Sequence, residues 1–455
     1  MRFKKITYIL LGLIFLILYF YVFAQYQKSE SNLAFEFQLK SDRSDEYQLF
    51  YVTKEKKDWA EEYSIHQPYD QPGTWQKIKF LIPNNAYSLR LDLGNQKAMI
   101  NINNVRLGGN SKVNISLDEI IKQQQHVELL NHSEKQPLEL RTIDVDPYLV
   151  LDIKLYRDMA LNGMSFFSVI FVSLESMLAT FASLFIIRSI KNVFIFLKEI
   201  YKGRGLIINL AKNDFKTKYA SSYLGIVWGF IQPLLTIATY WFVFQIGLRS
   251  GNIADVPFIL WFIVAIIPWF FFSEGLSSAT NVYTEYSYLV KKVVFKIELL
   301  PIVKIVSALF VHLFFIVFIF IIFSVYGYYP NIFNLQLLYY LVCTIVLTFS
   351  ISIITSAVVL FFKDLNQIII IVLQMGFWFT PIGWSYTMLS DFWGKIFKLN
   401  PMFYIIEGYR DSFIDNVPFW THPYYTFYFW MFCLTAFVIG VNSFKKLKPH
   451  FADVI

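Results

Sequence analysis

The chain lacks the short patterns by which most enzymes of its length declare themselves. No Gly-x-x-x-x-Gly-Lys-Ser/Thr stretch occurs in the 455 residues, so there is no ordinary loop for cradling nucleotide phosphates. Neither His-Glu-x-x-His nor Gly-x-Ser-x-Gly is present, which removes the usual helical zinc site and the strand-turn-helix serine nucleophile. Cysteine is scarce. Cys343 and Cys433 both lie in apolar stretches and read as small buried hydrophobes, with no disulfide or metal spacing.

What the chain has is apolar surface. Hydrophobic residues make up 56% and aromatics 19%, against about 45–50% apolar in soluble domains. These residues gather into runs near Ile6–Ala24, Met164–Ile187, Leu224–Gly247, Pro257–Phe272, Leu299–Tyr326, Leu335–Phe362, Gln367–Leu389 and Tyr425–Phe444. Several exceed the ~18 residues that mark a bilayer crossing. The formal net charge of +7 would suggest nucleic acid in a soluble chain. Here Lys and Arg flank the apolar runs, so anchoring at an inner leaflet is the better reading, and no nucleic-acid partner is expected.

These features predict a polytopic α-helical membrane protein of about eight spans. An even number places both termini in the cytoplasm, as the basic residues at Lys291, Lys292, Lys296, Lys363 and Lys445–Lys448 require, with the loop around Asp255 outside. The expected division is an N-terminal anchor over 1–25, a β-rich extracytoplasmic domain over 26–161, a second span and connector over 162–200, and a transmembrane domain over 201–455. In the second region LAFEFQL, YQLFYV, WQKIKFLI, YSLRLDL and AMININNVRL alternate with period two between Asn, Gly, Asp and Pro turns. Such strands without a long helix predict a β-sandwich-like domain between spans 1 and 2.

The stretch Leu206–Tyr219 carries Ile207, Ile208, Leu210, Ala211 and Phe215 near one face, and Lys212, Asp214, Lys216 and Lys218 elsewhere. It suits the plane of a membrane interface, with a turn at Ser221-Ser222 before the chain dives into the bilayer. Lys218-Tyr219, Ser222, Leu224-Gly225, Trp228 and Gln232-Pro233-Leu234 then resemble the signature of the membrane subunit of ABC-2 type polysaccharide and teichoic acid exporters. Further blocks match in order: Lys291-Lys292-Val293-Val294-Phe295-Lys296, Phe362-Lys363-Asp364-Leu365, Thr380-Pro381-Ile382, Asn400-Pro401 with Glu407 and Arg410, and the tail from Phe444. Lys296 stands where the family has proline, and Lys363 where it has arginine. The likeness covers about Leu206 to Ile455, so the first two spans and the outer domain make this an extended form.

The resemblance implies a permease subunit, not an enzyme, that works with a separate ABC ATPase holding ATP and Mg. It also implies a second copy of the chain and a lipid-linked glycan or polyol-phosphate polymer as cargo. Lys218, Tyr219, Glu285, Lys291, Lys292 and Lys296 are the candidate ATPase-coupling residues. Trp228, Tyr240, Trp241 and Phe244 are candidates for a translocation path, where aromatic faces stack on sugars; packing is their bland role. Residues 390–422 form an expected re-entrant segment with Glu407 and Arg410 as an i,i+3 ion pair, the alternative being a surface helix. Tyr51, Trp59, Tyr63, Tyr69 and Trp75 are candidate glycan contacts of the outer domain, which otherwise receives an envelope partner or serves as a lid. Alternation favours a core role for Trp75 in particular. Two other functions stay open: an ABC-2 permease for another substrate, and a membrane glycosyltransferase acting on lipid-linked sugars. The latter rests on Asp144-Val-Asp146 alone, against a capped turn before Pro147.

Overall fold

The computed structural model describes residues 2–30, 33–53, 58–109, 111–120, 123–131, 137–144, 146–162, 166–218, 220, 223–248, 251, 256–291, 295–389 and 391–454. Val145, Met164, Tyr219, Ser221, Ser222, Asp255, Lys292, Val293 and Val294 therefore lie outside the described residues. The chain divides into two compact units, Met1–Thr180 and Phe181–Ile455.

The first unit opens with α1 (Arg2–Glu30) and continues into β1 (Leu33–Ser41), β2 (Asp45–Thr53), β3 (Ser64–Tyr69), β4 (Gln76–Ile82), β5 (Ala86–Asp92) and β6 (Met99–Gly108). After these come β7 (Lys112–Asn114), α2 (Leu117–Ile120), β8 (Gln123–Gln125), β9 (Val127–Asn131), β10 (Leu138–Thr142), β11 (Tyr148–Asp152) and α3 (Lys154–Leu161). The strands form two sheets. One has the order β4-β1-β6-β10-β9 with β7 on β6, the other β3-β2-β5-β11-β8, all pairs antiparallel. Alternation decides which face is apolar. Leu33, Phe35, Phe37 and Leu39 of β1 meet Leu89, Leu91, Leu149 and Leu151 of the other sheet in one core, while Lys77 and Lys79 of β4 point to water. Gly94 turns the chain after β5 at φ +87°, and Asp45 Oδ2 accepts from the Asn95 and Gln96 amides there.

Helices α4 (Phe166–Lys202), α5 (Arg204–Lys218), α6 (Trp228–Trp241), α7 (Phe258–Thr280), α8 (Val282–Glu285), α9 (Ser287–Val290) and α10 (Leu300–Val325) follow. The chain ends through α11 (Leu337–Val359), α12 (Leu365–Phe379), α13 (Asp391–Phe397), α14 (Pro401–Arg410), α15 (Pro423–Leu447) and α16 (Phe451–Val454). Helix α7 is apolar all round and buried along nearly its whole length, so it forms the centre of the second unit, with α10, α11 and α14 against it. By contrast α12 has no buried residue, and α6 only Gly229 and Ile237.

Among the described residues seven helices are long and apolar enough to cross a bilayer: Ile6–Gln27, Ser168–Lys202, Gly225–Gly247, Phe258–Thr280, Ile297–Val325, Ile332–Val359 and Pro423–His450. The expected eighth span, Gln367–Leu389, is instead the 15-residue α12. That helix rises only about 22 Å, short of ~30 Å of hydrocarbon. It stops because Thr380 precedes Pro381, which disfavours the helical region, and Thr380 is extended at φ −102°, ψ 134°. Seven is odd. The expectation that both termini are cytoplasmic is therefore corrected, since an odd number of crossings cannot return the chain to its starting side.

Candidate functional site

Helix α5 presents Ile207, Ala211 and Asp214 at i, i+4 and i+7, and all three are buried. The apolar pair meets Leu299 and Val303, and the Phe215 ring lies 5.5 Å from that of Phe310. Ile208, expected on the apolar face, points outward, and Asp214, expected on the polar face, points in. The reason is Lys304. Its Nζ donates to Asp214 Oδ1 at 2.7 Å and lies 2.5 Å from Glu285 Oε2 at the end of α8. The Tyr286 hydroxyl also donates to Asp214, at 2.7 Å. Burial works to raise the Asp214 carboxyl, but the Lys304 cation and these hydrogen bonds outweigh it and hold the group below its ordinary value. Burial, then Asp214 itself, push the Tyr286 hydroxyl up.

Beside this cluster Lys218 pairs with Glu274, which also accepts from Ser278 Oγ at 2.7 Å. Both networks line one cleft of about 650 Å³ among α5, α6, α7 and α10. Phe271, Phe315 and His312 line it as well. The His312 ring stacks on Phe271 at 4.7 Å, and its Nε2 shares a hydrogen bond with the Tyr409 hydroxyl at 3.0 Å. Sequence reasoning missed Lys304 altogether. The signal was available: a lone Lys inside an apolar run is expensive in lipid and needs a partner.

Among the expected coupling residues, Lys218 and Glu285 reach this cleft. Lys296 goes elsewhere, pairing with Glu199 of α4. Lys291 is exposed just past α9, and Tyr219 and Lys292 lie outside the described residues. Near Lys296, Lys448 meets Glu298 at 2.9 Å, and α4 is tied to α15 by Asn192–Asn442 and Ser189–Asn442 hydrogen bonds. The four path candidates split. Trp228 and Trp241 are 43% and 37% exposed, whereas Tyr240 and Phe244 stack inward on Phe262, Phe258 and Phe377.

Glu407 and Arg410 do form a pair, at 2.5 Å, and it is not a surface one: the Arg410 side chain is 3% exposed. Asn400 caps α14 by accepting from the Met402 amide at 3.0 Å, with Pro401 in the first turn. The guanidinium then reaches out of its helix. Its Nη2 donates to the carbonyls of Pro381 and Ile382 at 2.7 and 3.2 Å, and it lies 3.5 Å from the Trp261 ring. Arg410 thus satisfies backbone that Pro381 has freed beyond α12.

In the two-sheet domain Trp59 and Trp75 are exposed, and Tyr51 and Tyr63 are partly so, with rings 6.2 Å apart. Trp75, a candidate contact for which alternation offered a core position as the bland alternative, precedes β4 and faces out. Tyr69 is corrected: it is fully buried, accepting from the Ser41 amide at 3.0 Å and donating to Thr74 O at 2.8 Å, and cannot offer its ring to a ligand. Asp146, half of the acidic motif, accepts from Arg90 at 2.8 Å. Among the described residues no group of three or more His, Cys, Asp or Glu could hold a metal ion.

Residues 206–414 match the family described as ABC-2 type transporter. The chain is 28% identical over 255 residues to an O-antigen export system permease protein of Klebsiella pneumoniae, covering 55% of this chain and 95% of that protein. It is 28% identical over 225 residues to a permease protein of the same description from Myxococcus xanthus, covering 48% of this chain and 84% of that one.

Proposed function

Residues 206–414 belong to the ABC-2 type transporter family, the chain is a membrane permease related to O-antigen and polysaccharide export systems, and from this premise we propose that it carries a lipid-linked cell-surface polymer across the membrane for an ABC ATPase partner. The observation that carries the reading is the three-way contact of Lys304. One buried ammonium holds the interface helix through Asp214 and the end of α8 through Glu285. A partner pressing on α8, α9 and the following basic turn moves Glu285, and Lys304 passes that displacement to α5 and α10 together. Rigid helices tied at one charged joint shift as bodies rather than deform.

A second copy completes the path in this reading. Helices α6 and α12 leave Trp228, Leu235, Trp241, Ile371, Met375 and Trp378 uncovered within the protomer. Two-fold symmetry is the commonest way to close such a face. Trp228 and Trp241 then line or flank the route, while Tyr240 and Phe244 support them from behind. The two-sheet domain, which lies outside the matched residues, contacts the polymer.

The test is depletion of this chain in its own cell, followed by mass analysis of lipid-linked polymer. Accumulation of an undelivered glycan on its lipid carrier is expected, and its composition distinguishes a neutral or anionic glycan from a teichoic acid. Purification in mild detergent should recover the ATPase with the chain. Unchanged lipid-linked pools after depletion would refute the reading.

A further inference from the structure

The two sheets of the N-terminal domain expose faces of different character. On the first, Lys40, Lys77, Lys79, Arg106 and Lys112 project outward. The second is acidic. One row crosses all five of its strands, because Gln125, Tyr148, Asp92, Gln48 and His66 are register partners in turn. Their neighbours Leu49, Leu91 and Leu149 fill the core, so this row stands on the outside.

Its centre is already held in place. Arg90 donates to both oxygens of Asp92 at 2.7 and 2.9 Å and to Asp146 at 2.8 Å. The guanidinium lies 4.0 Å from the Tyr148 ring and 5.3 Å from the Phe50 ring. Although on an outer face, the Arg90 and Asp92 side chains are only 18% and 15% exposed. Gln48 donates to Glu61 at 2.9 and 3.0 Å, and the His66 ring lies 3.1 Å from the same carboxylate. Glu46, Glu61, Asp92 and Asp146 outnumber the one Arg.

We propose that this outer face, centred on Arg90, Asp92, Gln48 and Tyr148, binds a glycan chain built of uncharged sugars. The inference rests on the export reading and narrows its cargo. Sugar hydroxyls both donate and accept, and the face supplies carboxylates and side-chain amides beside a guanidinium and a ring. A polyol-phosphate chain meets four carboxylates here and is repelled; it would suit the basic first sheet. Five strands at about 4.8 Å spacing give a track about 19 Å wide, enough for several sugar residues. Because the groups are locked by their own hydrogen bonds, little order is lost when a ligand arrives.

The experiment uses the full chain in lipid nanodiscs on an array of uncharged bacterial glycans (rhamnans, mannans, galactans) and glycerol- and ribitol-phosphate polymers. Retention of one or more uncharged glycans is expected. Asp92→Asn should weaken that binding about tenfold, the scale of one lost hydrogen bond to a charged group, and Gln48→Ala about fivefold, the scale of a lost neutral one. Lys79→Ala should leave it unchanged. Because an altered Asp92 also disturbs the Arg90 pair, thermal melting accompanies each variant, and Gln48→Ala decides the matter if Asp92→Asn melts early. Binding of phosphate polymers only, no retained uncharged glycan, or native affinity in Gln48→Ala would overturn the proposal. Failure on the array with lipid-linked polymer still accumulating on depletion sinks this inference and leaves the export reading standing. Array binding without any accumulation does the reverse.

Discussion

Replacing Lys304 by methionine removes the cation at the foot of α10 and keeps an apolar stem of similar length. In the native protein its Nζ serves two carboxylates of different exposure, Asp214 at 8% and Glu285 at 48%. Without the cation, Glu285 turns to water at a loss of about 0–1 kcal/mol. Asp214 cannot. It keeps the Tyr286 hydroxyl but no counter-charge, and an uncompensated buried charge costs about 3–5 kcal/mol. At roughly 2–4 °C per kcal/mol for domains of 150–250 residues, the detergent-solubilised chain should melt about 6–20 °C lower. Adding Asp214→Leu to Lys304→Met should recover most of that loss, because apolar replacement of a buried pair is commonly neutral or stabilising. Lys202→Ala, which faces the less buried Glu199 at 3.7 Å, is the control and should shift melting by no more than a few degrees. The sign of the pH dependence follows from Asp214, whose carboxyl is held below its ordinary 3.8. A lowered carboxyl stabilises above that ordinary value and loses its contribution only as pH falls through the folded value. Without Lys304, burial is left to raise the Asp214 carboxyl above 3.8, so the gap between native and Lys304→Met should be widest at neutral to alkaline pH and narrow as pH falls, because protonation of Asp214 relieves the variant before it harms the native protein. A single variant melting within about 2 °C of native, or a double variant no better than the single, would refute the reasoning.

Three further outcomes follow from contacts that distance makes unambiguous. A Cβ at Gly408 would lie 1.9 Å from the Tyr340 ring, so Gly408→Ala should destabilise by about 1–3 kcal/mol or more, while Gly394→Ala, which meets nothing within 4 Å, should be tolerated; melting of both variants decides it. Arg410→Lys should impair folding nearly as much as Arg410→Ala, since one ammonium cannot reach Glu407 and two carbonyls together, and exchanging Glu407 with Arg410 should not rescue; native export in Arg410→Lys would contradict this. Gly94→Ala places a Cβ 2.3 Å from Asp45 Oδ2 at a φ of +87°, so protease resistance of the two-sheet domain should fall, and an unchanged digestion pattern would show that the turn relaxes freely.

Much of this protein was legible before any coordinates. Period-two alternation located β1, β2, β4, β5 and β6, because a half-buried strand must write its two environments into alternate residues. The strands that carried no alternation were missed: β8 is Gln123–Gln125, and β3 contains Pro68. Runs of Leu, Ile and Phe declared the long spans, since hydrocarbon demands the same chemistry at every turn. Glu407 with Arg410 was likewise visible as a helical pair from its i,i+3 spacing, whereas Asn400-Pro401 stood out only through the family resemblance.

What only the tertiary structure decided is where the charges go. A sequence places Asp214 among lysines and Lys304 among aliphatics, 90 positions apart; that the two meet depends on how α5 lies against α10. Nothing local tells that Arg410 spans to the carbonyls of Pro381 and Ile382, that Tyr69 turns inward while Trp75 faces water, or that α12 ends too early to cross. The physical reason is one of range. Apolar burial and strand alternation are set by each residue's own medium and leave a periodic trace along the chain. A buried charge is tolerated only by a partner brought from a distant element, and that partner is chosen by packing.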